Sequence, residues 1–183
     1  MIRKINKALV SLILVPALII PPNVAAEEST FDKITHQAQE IVSKITAPLF
    51  GQKDTECLAK NIYYESKNEP EEGKVAVGLV TINRFQDDRY PKTICSVVNH
   101  RSVLGEAVVC QFSWTCTKAK NLKPREDDPL WQESLRIAKE LAYGGYPEWQ
   151  KKYANTFHFH AASVNPGWRL KKVARVGGHI FYQ

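Results

Sequence analysis

Apolar side chains recur along this chain in three registers, and each predicts a different element. The first is a nearly continuous apolar run, Ala8 to Ile20, broken by Ser11 and Pro16 and preceded by Arg3, Lys4 and Lys7. It is shorter than the ~20 apolar residues of a bilayer-spanning helix. The small residues Val24-Ala25-Ala26 follow it. A positive start, an apolar middle and a small-residue end predict a secretory signal peptide over residues 1–26, cleaved after Ala26. No cysteine follows the run, so a lipoprotein is not expected.

The second register is helical. Ile34, Ala38, Ile41, Val42 and Ile45 form a stripe within residues 31–46 that stops before Pro48 and Gly51. Residues 27–53 therefore read as a helical linker. The compact domain is expected over 54–183, with Asp54 as N-cap of a helix running to about Ser66. Leu58, Ile62 and Glu65 fall on one face of that helix, flanked by Tyr63 and Tyr64. Asn68 is a stop. Pro70 fits the first turn of a second helix, with Glu71 and Glu72 at its positive end. Val75, Leu79 and Ile82, continued by Val80 and Phe85, make its core stripe. Gly78 within it costs about 1 kcal/mol relative to Ala and points to close approach of the first helix. After a turn at Asp87–Pro91, Thr93–Asn99 is a short apolar element. Residues 100–128 show no long periodic run. Asp128-Pro129 caps a further helix whose inward residues are Leu130, Ser134, Ile137, Ala138 and Leu141, and Gly144-Gly145 ends it.

The third register alternates. Across Thr156–Ala162, Phe157, Phe159 and Ala161 point one way, and His158 and His160 the other. Pro166-Gly167 turns the chain. Arg169–Val176 and Ile180–Tyr182 form a hairpin around Gly177-Gly178. Helices first and a small antiparallel sheet last make the class α+β.

The 183 residues suffice for one domain plus processing segments, and the formal charge is +6. Loss of three positive and no acidic residues with the signal leaves about +3, a mild excess that suits an anionic polymer such as a cell wall. It is too small to argue nucleic acid, and no Arg–aromatic interleaving is present. Cys57, Cys95, Cys110 and Cys116 all lie beyond the signal, an even count that reads as two disulfides in an exported protein. Four cysteines allow three pairings. Cys57–Cys95 with Cys110–Cys116 is favoured because the second pair closes a short local loop. No C-x2-C spacing supports zinc.

The candidate chemistry centres on Glu65. A carboxyl on the apolar side of a helix end is costly to ionise, so it stays protonated towards neutrality and can act as a general acid. Glycosidic cleavage needs such an acid, and hydrolases usually add a second carboxylate. One Glu suffices where the C6 hydroxyl of muramic acid attacks C1 and leaves a 1,6-anhydro product. Glu69 is the rival carboxylate, or else a cap for the Pro70 helix. Gln111, Ser113, Trp114, Trp168 and Tyr182 suit carbohydrate: amides and hydroxyls bond sugar hydroxyls, and aromatic faces stack on rings. Ser113 lacks a nucleophile-elbow setting. His158 and His160, with His179 or His100 as a third ligand, raise the alternative of a metal-dependent wall amidase or peptidase, although no H-E-x-x-H is present. A non-catalytic glycan-binding protein is the remaining alternative.

At these residues the chain resembles the SleB/CwlJ-type cell wall hydrolases, from about Thr55 to Tyr182. Asn61-Ile-Tyr-Tyr-Glu65-Ser-Lys-Asn-Glu69-Pro is similar to the family's YxEARGEP block, departing from it at Ser66-Lys67-Asn68. Val75-Ala-Val-Gly-Leu-Val-Thr-Ile-Asn83-Arg84 resembles its VAxVxxNR helix, and Gln111-Phe-Ser its QFS loop. Phe157-His-Phe-His160, Pro166-Gly-Trp168 and Gly178-His179-Ile-Phe-Tyr182 resemble its C-terminal pattern. The resemblance implies a lysozyme-like, single-Glu lytic transglycosylase fold that cuts peptidoglycan, with Glu65 catalytic and Asn83, Gln111, Ser113, His160 and His179 as groove or scaffold residues. The expected substrate-contacting set is Tyr64, Glu69, Gln111, Ser113, Trp114, His160, Trp168, His179 and Tyr182. No cofactor or metal is expected. A monomeric enzyme of the periplasm or cell exterior is.

Overall fold

The computed structural model describes residues 22–45, 47–117 and 121–183. The basic and apolar parts of the expected signal lie outside the described residues. The chain forms two units, one ending at Ile45 and the other beginning at Thr46. The described part of the first is a single helix, α1 (Pro22–Ile45), which starts earlier than the 31–46 stripe predicts and runs through Ala26. Among the described residues no helix is long and apolar enough to cross a membrane.

The second unit opens with α2 (Gln52–Ser66), α3 (Glu71–Gln86) and α4 (Ile94–Val98). Gly51, not Asp54, is the N-cap of α2. Asp54 lies in the first turn, and its carboxylate accepts the backbone N–H of Cys95 at 2.9 Å, fixing α4 against α2. The Cys57–Cys95 disulfide joins the same two helices. Pro70 is the cap residue of α3 rather than part of its first turn, while Glu71 and Glu72 do occupy that turn.

Next come the hairpin β1 (Arg101–Leu104) and β2 (Ala107–Cys110), and a 3-10 turn at Ser113–Cys116 closed by the Cys110–Cys116 disulfide. This hairpin falls in the stretch without a long periodic run. Its strands have four residues each, and Gly105, at φ 63°, supplies the turn. Helices α5 (Pro129–Ala142) and α6 (Pro147–Lys152) follow. Asp128 caps α5 by accepting Leu130 N–H at 2.9 Å, and its second oxygen accepts the Tyr63 hydroxyl at 2.7 Å, linking α5 to α2. The short α6 has no apolar stripe in the sequence.

Strands β3 (His158–Ala161), β4 (Lys172–Val176) and β5 (His179–Tyr182) build an antiparallel sheet in the order β3-β5-β4. Its cross-strand pairs place His158, His160 and Tyr182 on one face and Phe159, Phe181 and His179 on the other.

The core lies where α2, α3 and α5 cross. Leu58, Ile62, Val75, Ile137 and Leu141 are all but inaccessible, each such side chain worth roughly 1.5–3 kcal/mol of transfer free energy. Gly78 permits the crossing: a Cβ there would lie 2.7 Å from Leu141 Cδ1 and 3.2 Å from Ile62 Cδ1. The close approach expected of the first helix is thus shared with α5.

Candidate active site

The last turn of α2 delivers Glu65 into a cavity of about 440 Å³. Arg84 from the end of α3 lines it too, with the wall Val109–Ser113 and Phe159, His160, Ala161, Trp168 and His179 from the sheet side. A larger cavity, about 610 Å³, lies between α2, α5 and residues 121–126, but it contains none of the candidate residues.

Burial pushes the Glu65 carboxyl up from its ordinary 4.5 to about 7, against the opposing pull of the Arg84 charge. Among the described residues Glu65 is the only carboxylate lining this cavity. Glu69 does not join it. Its Oε2 accepts the Gly178 N–H at 2.8 Å, and its Oε1 stands 3.8 Å from His179 Nδ1. Of the roles expected for Glu69, the structure shows neither companion to Glu65 nor helix cap, and as an expected substrate contact it does not line the cavity; Glu69 anchors the β4–β5 hairpin.

Gln111, Ser113, His160, Trp168 and His179 come together around Glu65 as expected. Trp168 is 43% exposed, and the rings of His158, His160 and Tyr182 meet it edge-on at 5.7, 5.4 and 5.8 Å. Tyr182, on the same sheet face as His160, does not line the cavity; its hydroxyl is 2.9 Å from His160 Nε2.

Besides Glu69 and Tyr182, two more expected sugar contacts do not line the cavity. Trp114 is 9% exposed, stacks on Tyr64 at 4.7 Å and donates its indole N–H to Asn61 Oδ1 at 2.9 Å. The Tyr64 hydroxyl donates to the Leu122 carbonyl at 3.1 Å. Both brace the Gln111–Cys116 loop. Asn83 is scaffold: its amide donates to the carbonyls of Tyr153 and Thr156, each at 2.9 Å, and so sets the start of β3.

The three-histidine metal set does not assemble. His158 and His160 share one sheet face and His179 is on the other, packed against Phe159 at 5.3 Å. Both ring nitrogens of His160 have protein partners, the Ala161 carbonyl and the Tyr182 hydroxyl. His158 and His179 are held below the ordinary histidine value chiefly by burial. Among the described residues no group of three ligating side chains could hold a metal ion.

Arg84, Val109, Phe112 and Phe159 were not predicted at the site. For Arg84 the signal was a lone cation continuing the buried face of α3, four residues beyond Val80.

A helical domain with a small antiparallel sheet thus encloses a cleft in which, among the described residues, Glu65 is the one carboxyl, beside an amide, a hydroxyl and aromatic rings. Residues 68–182 match the model of the Cell Wall Hydrolase family, and the chain belongs to that family. The match begins three residues after Glu65. The chain is similar to the spore cortex-lytic enzymes of Oceanobacillus iheyensis and Bacillus subtilis, at 23% and 22% identity over 134 residues. That stretch is 72% of this chain and only 42% and 38% of those relatives. Two solved structures share the fold. The catalytic domain of the germination-specific lytic transglycosylase SleB from Bacillus anthracis has a TM-score of 0.56 at 22% identity, covering 73% of this chain and 97% of that one. The Bacillus cereus SleB catalytic domain has a TM-score of 0.54 at 22% identity, covering 75% and 96%.

Proposed function

We propose that the protein cleaves peptidoglycan glycan strands between N-acetylmuramic acid and N-acetylglucosamine as a lytic transglycosylase, with Glu65 as acid and then base. The observation that carries this reading is the solitary carboxyl: among the described residues Glu65 lines the cleft without a second carboxylate, and burial lifts it to about 7. A hydrolase of the two-carboxylate kind needs its second group across the sugar, within ~10 Å, and Glu69 is committed to Gly178. A group poised near neutrality is half protonated at working pH, which suits donation and recapture of one proton. Glu65 gives its proton to the glycosidic oxygen as the C1–O bond breaks. The C6 hydroxyl of the muramic residue then attacks C1 and returns a proton to Glu65.

Gln111 and Ser113 supply donors and acceptors for hydroxyl and acetamido groups, and the exposed Trp168 offers a stacking face for a sugar ring. The two disulfides and the basic-apolar N-terminal segment support export and action in the cell envelope.

The test is mass spectrometry of soluble products from purified sacculi, beside Glu65→Gln. Muropeptides ending in 1,6-anhydro-muramic acid, absent with the variant, are the expected result. Reducing muramic ends would make the enzyme a muramidase. Free stem peptides would overturn the assignment to glycan cleavage.

A further inference from the structure

Arg84 is the second buried charge at the cleft. Its residue is 3% exposed, yet among the described residues it joins no ion pair. A buried cation is costly unless a counter-charge meets it. The groups that hydrogen-bond it are neutral: Nε and Nη2 both donate to the Phe157 carbonyl, at 2.9 and 2.5 Å, and the Tyr90 hydroxyl is a further partner. The guanidinium carbon lies 5.3 Å from the Phe112 ring centre and 5.7 Å from that of Tyr90. Nη1 is buried and without a hydrogen-bond partner. The one acidic group lining the same cavity is Glu65.

We infer that Arg84 is a positioning residue whose counter-charge is the Glu65 carboxylate, in an ion pair that is incomplete while Glu65 holds its proton and completed when that proton passes to the glycosidic oxygen. The inference rests on the acid–base role proposed for Glu65. When the C1–O bond breaks, the leaving oxygen takes the proton and a carboxylate remains beside Arg84. When the C6 hydroxyl closes on C1, its proton returns to Glu65 and the pair relaxes. Fixing the guanidinium beforehand means that little reorganises at the moment charge appears.

The other titratable groups facing the cavity are His160 from β3 and His179 from β5, with Glu69 beside the latter. Around Arg84 stand Tyr90 and His158, with Arg89 over the same Tyr90 ring at 5.6 Å. His158 and His179 are held neutral by burial near pH 7. Arg84 is therefore the permanent positive charge of the cleft.

The experiment is a pH–rate profile, from pH 5 to 9, for release of soluble muropeptides from purified sacculi. It uses wild type, Arg84→Gln, Arg84→Met, Arg84→Lys and Glu65→Gln, each checked for folding by thermal melt. The neutral variants should lose roughly tenfold in rate, and their alkaline limb should move up by about one pH unit. Arg84→Lys should keep the wild-type limb. An unmoved limb in a folded neutral variant whose cleavage still depends on Glu65 overturns the inference. Cleavage by folded Glu65→Gln overturns instead the reading beneath it. Should neither neutral variant fold, Arg84→Lys decides. Activity at the wild-type limb supports a role for charge, and complete loss in the folded lysine variant refutes it.

Discussion

The Glu69 carboxylate accepts the backbone N–H of Gly178 at 2.8 Å, joining the turn after α2 to the β4–β5 hairpin across 109 residues of sequence. Glu65 leaves α2 four residues before that contact, and His179 enters the cleft one residue after it. One carboxylate thus sets the separation of the helical and sheet walls.

The hairpin turn is built for that contact. Gly177 has φ 52°, and a Cβ there would stand 1.9 Å from Glu69 Oε2. Gly177→Ala combines left-handed strain with a clash and should cost about 2 kcal/mol or more. Urea unfolding followed by circular dichroism checks this; an unchanged midpoint would contradict the geometry.

Glu65→Gln should reduce cleavage of sacculi by about 10³-fold while leaving the fold intact, because the amide is isosteric and removes a buried acid. Turbidity clearing and a thermal melt on the same preparation read the two effects separately.

The same residue makes stability depend on pH. The folded carboxyl titrates near 7 against an ordinary 4.5, so between these values the folded state binds more protons than the unfolded state. Stability falls as pH rises through that window, by no more than about 3 kcal/mol. Wild type should therefore lose stability relative to Glu65→Gln from pH 4.5 to 7, and the gap should level off above. Paired melts across pH 4 to 8 measure it, and parallel curves would show that Glu65 ionises normally.

Cys110 lines the cleft, and its bond to Cys116 closes the loop that carries Gln111 and Ser113. Replacing both cysteines by Ala should loosen that wall and lower activity at least tenfold, with a stability loss of about 2 kcal/mol. Losing the Cys57–Cys95 bond, which ties α2 to α4 across a sequence separation of 38, should cost about 4 kcal/mol. Chemical denaturation and sacculus assays of the two double variants separate the effects.

The helical half of the fold was legible because its stripes are long: Leu58–Ile62, Val75–Ile82 and Ile137–Leu141 each span a turn or more and all meet in the core. The β1–β2 hairpin was not, because two four-residue strands are too short for alternation to show and Val103, at 72% exposure, serves no core. Of the expected site residues, Glu65, Gln111, Ser113, His160, Trp168 and His179 line one cavity in the structure. Residue chemistry misplaced Trp114, since an indole suits a sugar face and a core equally well and only its bond to Asn61 separates the two. Glu69 was misread for a related reason: its partner is a backbone amide 109 residues away, which no local pattern encodes. Arg84 went unread because a cation at a helix end ordinarily complements the dipole in solvent.

The sheet order β3-β5-β4 has a consequence for assembly. Neither β3 nor β4 pairs with the other; each waits for β5, which follows both in the chain. The helical layers can collapse through contacts between neighbouring segments, whereas the sheet wall depends on the last strand closing long loops.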